Sequence, residues 1–161
     1  MQDRELYQEI PGLKSPWSVS QVTLNLEQQQ VDVFVEHPSG TKFCCPECSE
    51  ALPCCDHTSE RQWRHLDSCQ FKTLLHARIP RVNCPQHGVK QVQVPWAAKG
   101  SRFTILFERF AIQVLLATQT VTGAMSILRT KWDQTWSIVE RAVARGKERK
   151  ESQAVPRLGI A

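Results

Sequence analysis

Two short strings, CPEC at 45–48 and CPQH at 84–87, constrain the fold of this chain more than any other feature. Each sets two soft or borderline ligands on either side of a proline and one further residue: Cys45 and Cys48, then Cys84 and His87. At that spacing one tight turn offers both side chains to a single ion, with backbone amides pointing at the thiolates. Zinc takes four such ligands in a tetrahedron, and three thiolates plus one imidazole complete it. A filled shell leaves no position for water or substrate, so the expected cofactor is a structural Zn and not a catalytic one.

All seven cysteines lie between Cys44 and Cys84. An odd, crowded set fits metal binding in a reducing compartment better than a disulfide framework. Cys44 stands one residue outside the knuckle spacing. Cys54, Cys55 and His57 form an alternative pair, but adjacent cysteines grip one ion poorly and no fourth ligand is placed beside them. The roles of these residues and of Cys69 stay open at this level.

The pattern around the knuckles is β-rich. Residues 3–9 suit a short helix, which Pro11, Gly12 and Pro16 end. Val22, Leu24 and Leu26, then Val31, Val33 and Val35, alternate at period two about a polar EQQQ, which predicts a hairpin over 19–36. A polar loop through 50–60 is expected to lead into further strands in RQWRHLD and FKTLLHARIPRVNC. This region ends near QVQVPWA at 91–97. From Phe103 the apolar period turns helical, through Leu106, Phe107, Phe110, Val114 and Leu115. Two further helical segments, 120–128 and 133–145, are separated by RTKW. The expected class is α+β: a small β-rich zinc ribbon over 1–97, a three-helix helix-turn-helix domain over 98–147, and a linker over 148–161.

Two helices joined by a short turn outline a helix-turn-helix, whose second helix lies in the DNA major groove. Ala124 supplies the small residue inside the first helix, and Trp132, Trp136 and Val139 are the expected apolar anchors of the second. Gln134, Thr135 and Ser137 then fall where base edges or phosphates are met. Arg129, Lys131, Arg141, Arg145 and Lys147 become phosphate contacts. Arg129 and Thr130 occupy a turn where glycine is common, and Lys131 stands where an N-cap Ser or Thr is expected. The charge distribution agrees with this assignment. Residues 1–60 hold three Lys/Arg against ten Asp/Glu, whereas 61–161 hold seventeen against six. A basic C-terminal portion is an electrostatic footprint for nucleic acid.

Other chemistries lack their motifs. The chain has no phosphate-cradling glycine loop, no Gly-x-Ser-x-Gly elbow and no paired carboxylates in a supporting setting. It shows no apolar leader and no run long enough to span a bilayer, so a cytoplasmic protein with no membrane partner is expected.

In order, CPEC, RQWRHLD, RVNCPQHG, VPWA and KWDQTW resemble the N-terminal part of bacterial insertion-sequence transposases of the ISL three family, over roughly 19–160. The strings Trp63-Arg64-His65-Leu66-Asp67 and Arg81-Val82-x-Cys84-Pro85 carry the match. The resemblance implies a zinc ribbon and a helix-turn-helix that together recognise the terminal inverted repeats of the element in double-stranded DNA. In the family an RNase H-like domain with two Asp and one Glu follows, entered by a strand resembling RLGI just before its first catalytic Asp. Here Ala161 follows Ile160, so the chain is expected to bind without cutting. Within WRHLD, Arg61 just upstream and Arg64 are expected at phosphates, and His65 and Asp67 as braces. At position 87 the family more often has Cys. The second expectation is an interaction module that pairs with itself or with a full-length transposase, since the acidic first third is unsuited to lie on DNA.

Overall fold

The computed structural model describes residues 3–9 and 12–150. It divides into two compact units, residues 1–108 and 109–161. In the first, helix α1 (Asp3–Glu9) precedes six strands: β1 (Ser18–Asn25), β2 (Gln30–Glu36), β3 (Lys42–Cys44), β4 (Ala51–Ser68), β5 (Phe71–Cys84) and β6 (Gly88–Gln91). They make one sheet ordered β1-β2-β5-β4-β3, with β6 also on β5.

The period-two alternation over 19–36 becomes the antiparallel β1–β2 hairpin, with Leu24 opposite Val31. Val31, Val33 and Val35 are buried while their neighbours in β2 are not. β2 runs parallel to β5, which sets Val33 against Leu75. β4 and β5 form a long antiparallel hairpin. It turns on Cys69 and Gln70, both in the left-handed region at φ 51° and 70°. The expected polar loop through 50–60 is instead the first half of β4. It pairs with β5 through several register shifts, Cys54 opposite Val82 and His57 opposite Pro80. Its side chains are exposed or at most half-buried, so no apolar period marks it as a strand.

Trp17, Trp63 and Trp96 meet edge to face at the centre of this unit, at 4.9 and 5.4 Å between ring centroids. Such pairs contribute about 0.5–1.5 kcal/mol beyond the area they bury. Val33, Leu75, Ile79 and Val82 pack in the same core. The WRHLD segment of β4 then holds the chain that follows the sheet. The Arg64 N–H donates to the Arg102 carbonyl at 2.8 Å, and the Thr104 N–H to the Arg64 carbonyl at 2.9 Å. These bonds place 98–108 with the sheet. His65 is buried, with its Nδ1 2.9 Å from the Thr104 hydroxyl.

Helix α2 (Ile105–Thr118) starts in the first unit and continues into the second, where α3 (Val121–Leu128) and α4 (Trp132–Arg149) follow. Thr120 caps α3, its hydroxyl accepting the Gly123 N–H at 3.1 Å. α3 ends on Arg129, which adopts the left-handed conformation at φ 53° and ψ 47°. A glycine would take that conformation more readily. α4 is entered through Lys131, whose N–H donates to the Gln134 side-chain oxygen at 2.9 Å. This is the reciprocal half of a capping box, made by the residue three positions in. Ala124 and Leu128 of α3 and Thr135 and Ile138 of α4 are fully or almost fully buried. The stretch resembling RLGI and the linker past Lys150 lie outside the described residues.

Two predictions follow from this packing. A Cβ at Gly123 would sit 2.8 Å from the Thr120 Oγ1 and 3.2 Å from the Thr118 Cβ. Gly123→Ala should therefore lose more from crowding, about 1–3 kcal/mol, than the ~1 kcal/mol it gains in helix propensity. The net effect is a lower Tm in the helical circular-dichroism signal. Burial pushes the His65 imidazole down from its ordinary 6.5 to about 4. The unfolded chain takes up a proton that the folded chain refuses, so stability is full above about 6.5 and declines as pH falls toward 4. The loss is at most roughly 3 kcal/mol. Urea midpoints at pH 7 and 4.5 should converge in His65→Gln relative to the parent chain.

Candidate metal centre and nucleic-acid interface

The first knuckle follows β3. The Cys45 N–H donates to the Glu50 carbonyl and the Ser49 N–H to the Cys45 carbonyl, both at 2.9 Å. This closes a tight loop in which Ser49 is left-handed at φ 61°. The Glu47 N–H, and with it the Cys48 N–H, points at the Cys45 sulfur and lowers that thiol to about 7. The second knuckle joins β5 to β6, where Cys84 pairs with Gly88 across the turn. Gly88 has φ 71°, a conformation a side chain would disfavour.

The two turns meet. Cys48 and Cys84 sulfurs are 3.6 Å apart, and the His87 Nδ1 lies 3.4 Å from Cys84 and 3.9 Å from Cys45. A tetrahedral zinc with S bonds near 2.3 Å and N bonds near 2.0–2.1 Å demands S–S edges of about 3.8 Å and S–N edges of about 3.5 Å. The arrangement is already at that scale. All four ligand atoms lie within 4.8 Å of one another, the one such group of Cys, His, Asp or Glu among the described residues. Cys45 and Cys84 are buried and His87 is exposed. A surface ion pair, Lys90 to Glu47 at 3.7 Å, ties β6 to the first knuckle, at a value of about 0–1 kcal/mol.

The remaining cysteines are used elsewhere. The Cys54 thiol donates to the Asp56 carbonyl and the Cys55 thiol to the Arg81 carbonyl. Asp56 also holds the Arg81 guanidinium, which keeps its carboxyl below the usual range. Cys44 and Cys69 are exposed. The sequence held no signal for the nearby His37–His57 pair, whose Nε2 atoms are 2.8 Å apart.

In the second unit, α3 and α4 present a helix-turn-helix with a three-residue link, 129–131. Residues 92–143 match the model described as the helix-turn-helix domain of transposase family ISL3, and residues 41–87 match the zinc-finger of transposase IS204/IS1001/IS1096/IS1165. The chain carries the zinc-ribbon and helix-turn-helix domains of the ISL3 transposases. It is also 36% identical over 101 residues to the transposase for insertion sequence element IS1557 of Mycobacterium tuberculosis, in strains CDC 1551 / Oshkosh and ATCC 25618 / H37Rv. The match covers 62% of this chain and 22% of each relative, so the chain spans about a fifth of their length. No solved structure matches it. No helix among the described residues is long and apolar enough to cross a membrane.

Zinc is the structural cofactor of this ISL3 ribbon, whose matched segment contains all four gathered side chains. In the ISL3 helix-turn-helix the residues singled out from sequence divide. Lys131 and Lys147 are exposed, and Arg129, Gln134, Ser137, Arg141 and Arg145 are half-buried. Thr135 is fully buried. Its hydroxyl lies 2.7 Å from that of Thr130 and donates to the Lys131 carbonyl, so it locks the turn from inside. The expected anchors Trp132 and Trp136 lie on the outside, and Thr135 and Ile138 face inward instead. Hydrophobic spacing alone does not tell which face of α4 meets α3. In the ribbon unit, the Arg64 side chain is only 11% exposed and pairs with Asp67 at 2.5 Å, over the Phe107 ring. Arg61 lies over the Trp63 ring, 5.1 Å from its centroid. Arg64 and the buried His65 thus both make contacts inside the unit.

Because bound thiolates must be deprotonated, protons compete with zinc. Zinc affinity, measured by competition with a chromophoric chelator, should fall from pH 8 to 6 and steepen below about 7. Excess chelator should unfold the knuckles while the helical signal persists. Cys84→Ala should abolish the zinc stoichiometry that His87→Cys preserves.

Proposed function

We propose that this chain is the DNA-recognition part of a bacterial insertion-sequence transposase, that it binds the element's terminal inverted repeats as duplex DNA in the cytoplasm, and that it cuts no strand by itself. The observation that carries the reading is the α3–turn–α4 geometry. Ala124, Leu128, Thr135 and Ile138 are buried together in it, and the start of α4 is open to solvent. A second helix of this kind lays its N-terminal residues along base edges in the major groove.

Gln134 and Ser137 are the proposed polar residues near those edges. Arg129, Lys131, Arg141, Arg145 and Lys147, with Arg61 of the ribbon unit, are the proposed phosphate contacts. The sequence excess of basic residues after position 60 supports the same assignment. Cys45, Cys48, Cys84 and His87 are the proposed zinc ligands, and their role is to hold the ribbon and not to react. A second reading rests on the sheet edge. β1 is an outermost strand with Leu24 55% exposed, and Leu26 beyond it is 68% exposed. In the acidic part of the chain that edge suits pairing with a second copy or a full-length transposase.

Fluorescence anisotropy against the terminal repeats that flank the coding gene tests the first reading. The repeat should bind more tightly than a scrambled duplex. Affinity should drop by about 10³-fold between 50 and 200 mM salt if roughly six phosphates are contacted. Equal, salt-independent binding of both duplexes would count against recognition. Nicking of a magnesium-supplemented supercoiled plasmid would contradict the non-catalytic part.

A further inference from the structure

We infer that the stacked Trp132–Trp136 pair is the base-reading surface of this helix-turn-helix, an apolar plate that packs against thymine methyl groups in the major groove. The inference rests on the DNA-binding reading above and names what in α4 does the reading.

Five tryptophans occur in the chain. Trp17, Trp63 and Trp96 are 1–4% exposed and build the core of the first unit, whereas Trp132 is 53% and Trp136 39% exposed. Two large aromatic rings left in water on one helix turn forgo burial of a size that dominates interfaces, and such a patch marks a contact surface. The pair is also ordered. The rings stack at 5.2 Å with an interplanar angle of 13°, and the Trp136 indole N–H donates to Glu140 at 3.0 Å. With its one polar atom satisfied along the helix, the Trp136 ring has only apolar surface left to offer.

Position and charge select the occupant. Trp132 and Trp136 are the first and fifth residues of α4. At about 100° per residue they lie within roughly 40° of one another and about 110° from the Thr135–Ile138 face. That is the outer side of the helix end that enters the groove. Exposed Lys131 precedes the pair, and exposed Lys147, Arg149 and Lys150 close the far end of the helix. The pair thus lies at the helix end that docks in the groove, one residue from an exposed lysine, which matches a groove floor beside a phosphate row. On that floor the apolar group is the thymine C5 methyl. Asp133 and Glu140 are the acidic neighbours, and a carboxylate accepts from the cytosine amino group.

The test uses the terminal-repeat duplex and copies in which deoxyuridine replaces thymine, which keeps pairing and removes only the methyl. The parent chain should lose roughly fourfold in affinity per contacted methyl. Trp132→Ala and Trp136→Ala should weaken repeat binding by at least about tenfold, leave unrelated duplex unchanged and become indifferent to deoxyuridine. Both sites are exposed, and an unaltered helical circular-dichroism melt confirms folding. Iodide should quench the free protein through this pair alone, and the repeat should remove that quenching. Variants that bind and discriminate like the parent overturn the inference, as does quenching unaffected by DNA or a variant that alters only self-association. Each of these three results leaves DNA binding by the parent chain standing. If the parent chain binds no duplex in a salt-dependent way, the DNA reading itself fails.

Discussion

One ion can be gripped from positions 45 and 84 only if the chain between them returns to its starting point, and the β4–β5 hairpin is that return. Its open end carries both knuckles, flanked by β3 of three residues and β6 of four. Strands this short bury little by themselves, and small modules of this kind depend on a metal where the core is thin. Further along the same two strands, Trp63 and Leu75 enter the main core and WRHLD takes hold of 101–104. Ribbon and core are therefore one pair of strands read at two ends.

The helical unit solves a different problem with polar groups. In α3 the small Ala124 is fully buried, and Gly123 leaves room for Thr118 and Thr120 just ahead of the helix. The turn between them is held by Arg129 in the left-handed region, by the Gln134 cap and by the Thr130–Thr135 hydroxyl pair. Residues that look available for recognition are thus partly occupied by architecture. Thr135 is inside, and Gln134 already caps the helix. What remains outward at the start of α4 is Lys131, Trp132, Asp133 and Trp136.

Much of this was legible in the residues. The hairpin over 19–36 shows as alternation, which in β2 follows burial of Val31, Val33 and Val35, while Leu24 and Leu26 on the β1 side stay exposed. The knuckles show as ligand spacing, because a tight turn tolerates few alternatives. The first half of β4 did not show, since its exposed side chains follow no apolar period. Trp132 and Trp136 have helical spacing and looked like anchors. Their exposure depended on which residues of α4 the turn aims at α3. Arg64 reads as a surface cation in the sequence, and only the fold sets it against Asp67 and the Phe107 ring.

From the order of residues alone follow the ligand types and spacing of a zinc ribbon, the change from β to helical period near position 103, and the acidic-to-basic shift along the chain. All are local properties, carried by neighbours a few positions apart. Tertiary structure decided the rest: how close the two knuckles come, that Thr135 and the Arg64 side chain face inward, and that two tryptophans face out. Each of those depends on which distant surface a side chain meets, and a periodic pattern holds no record of its partner.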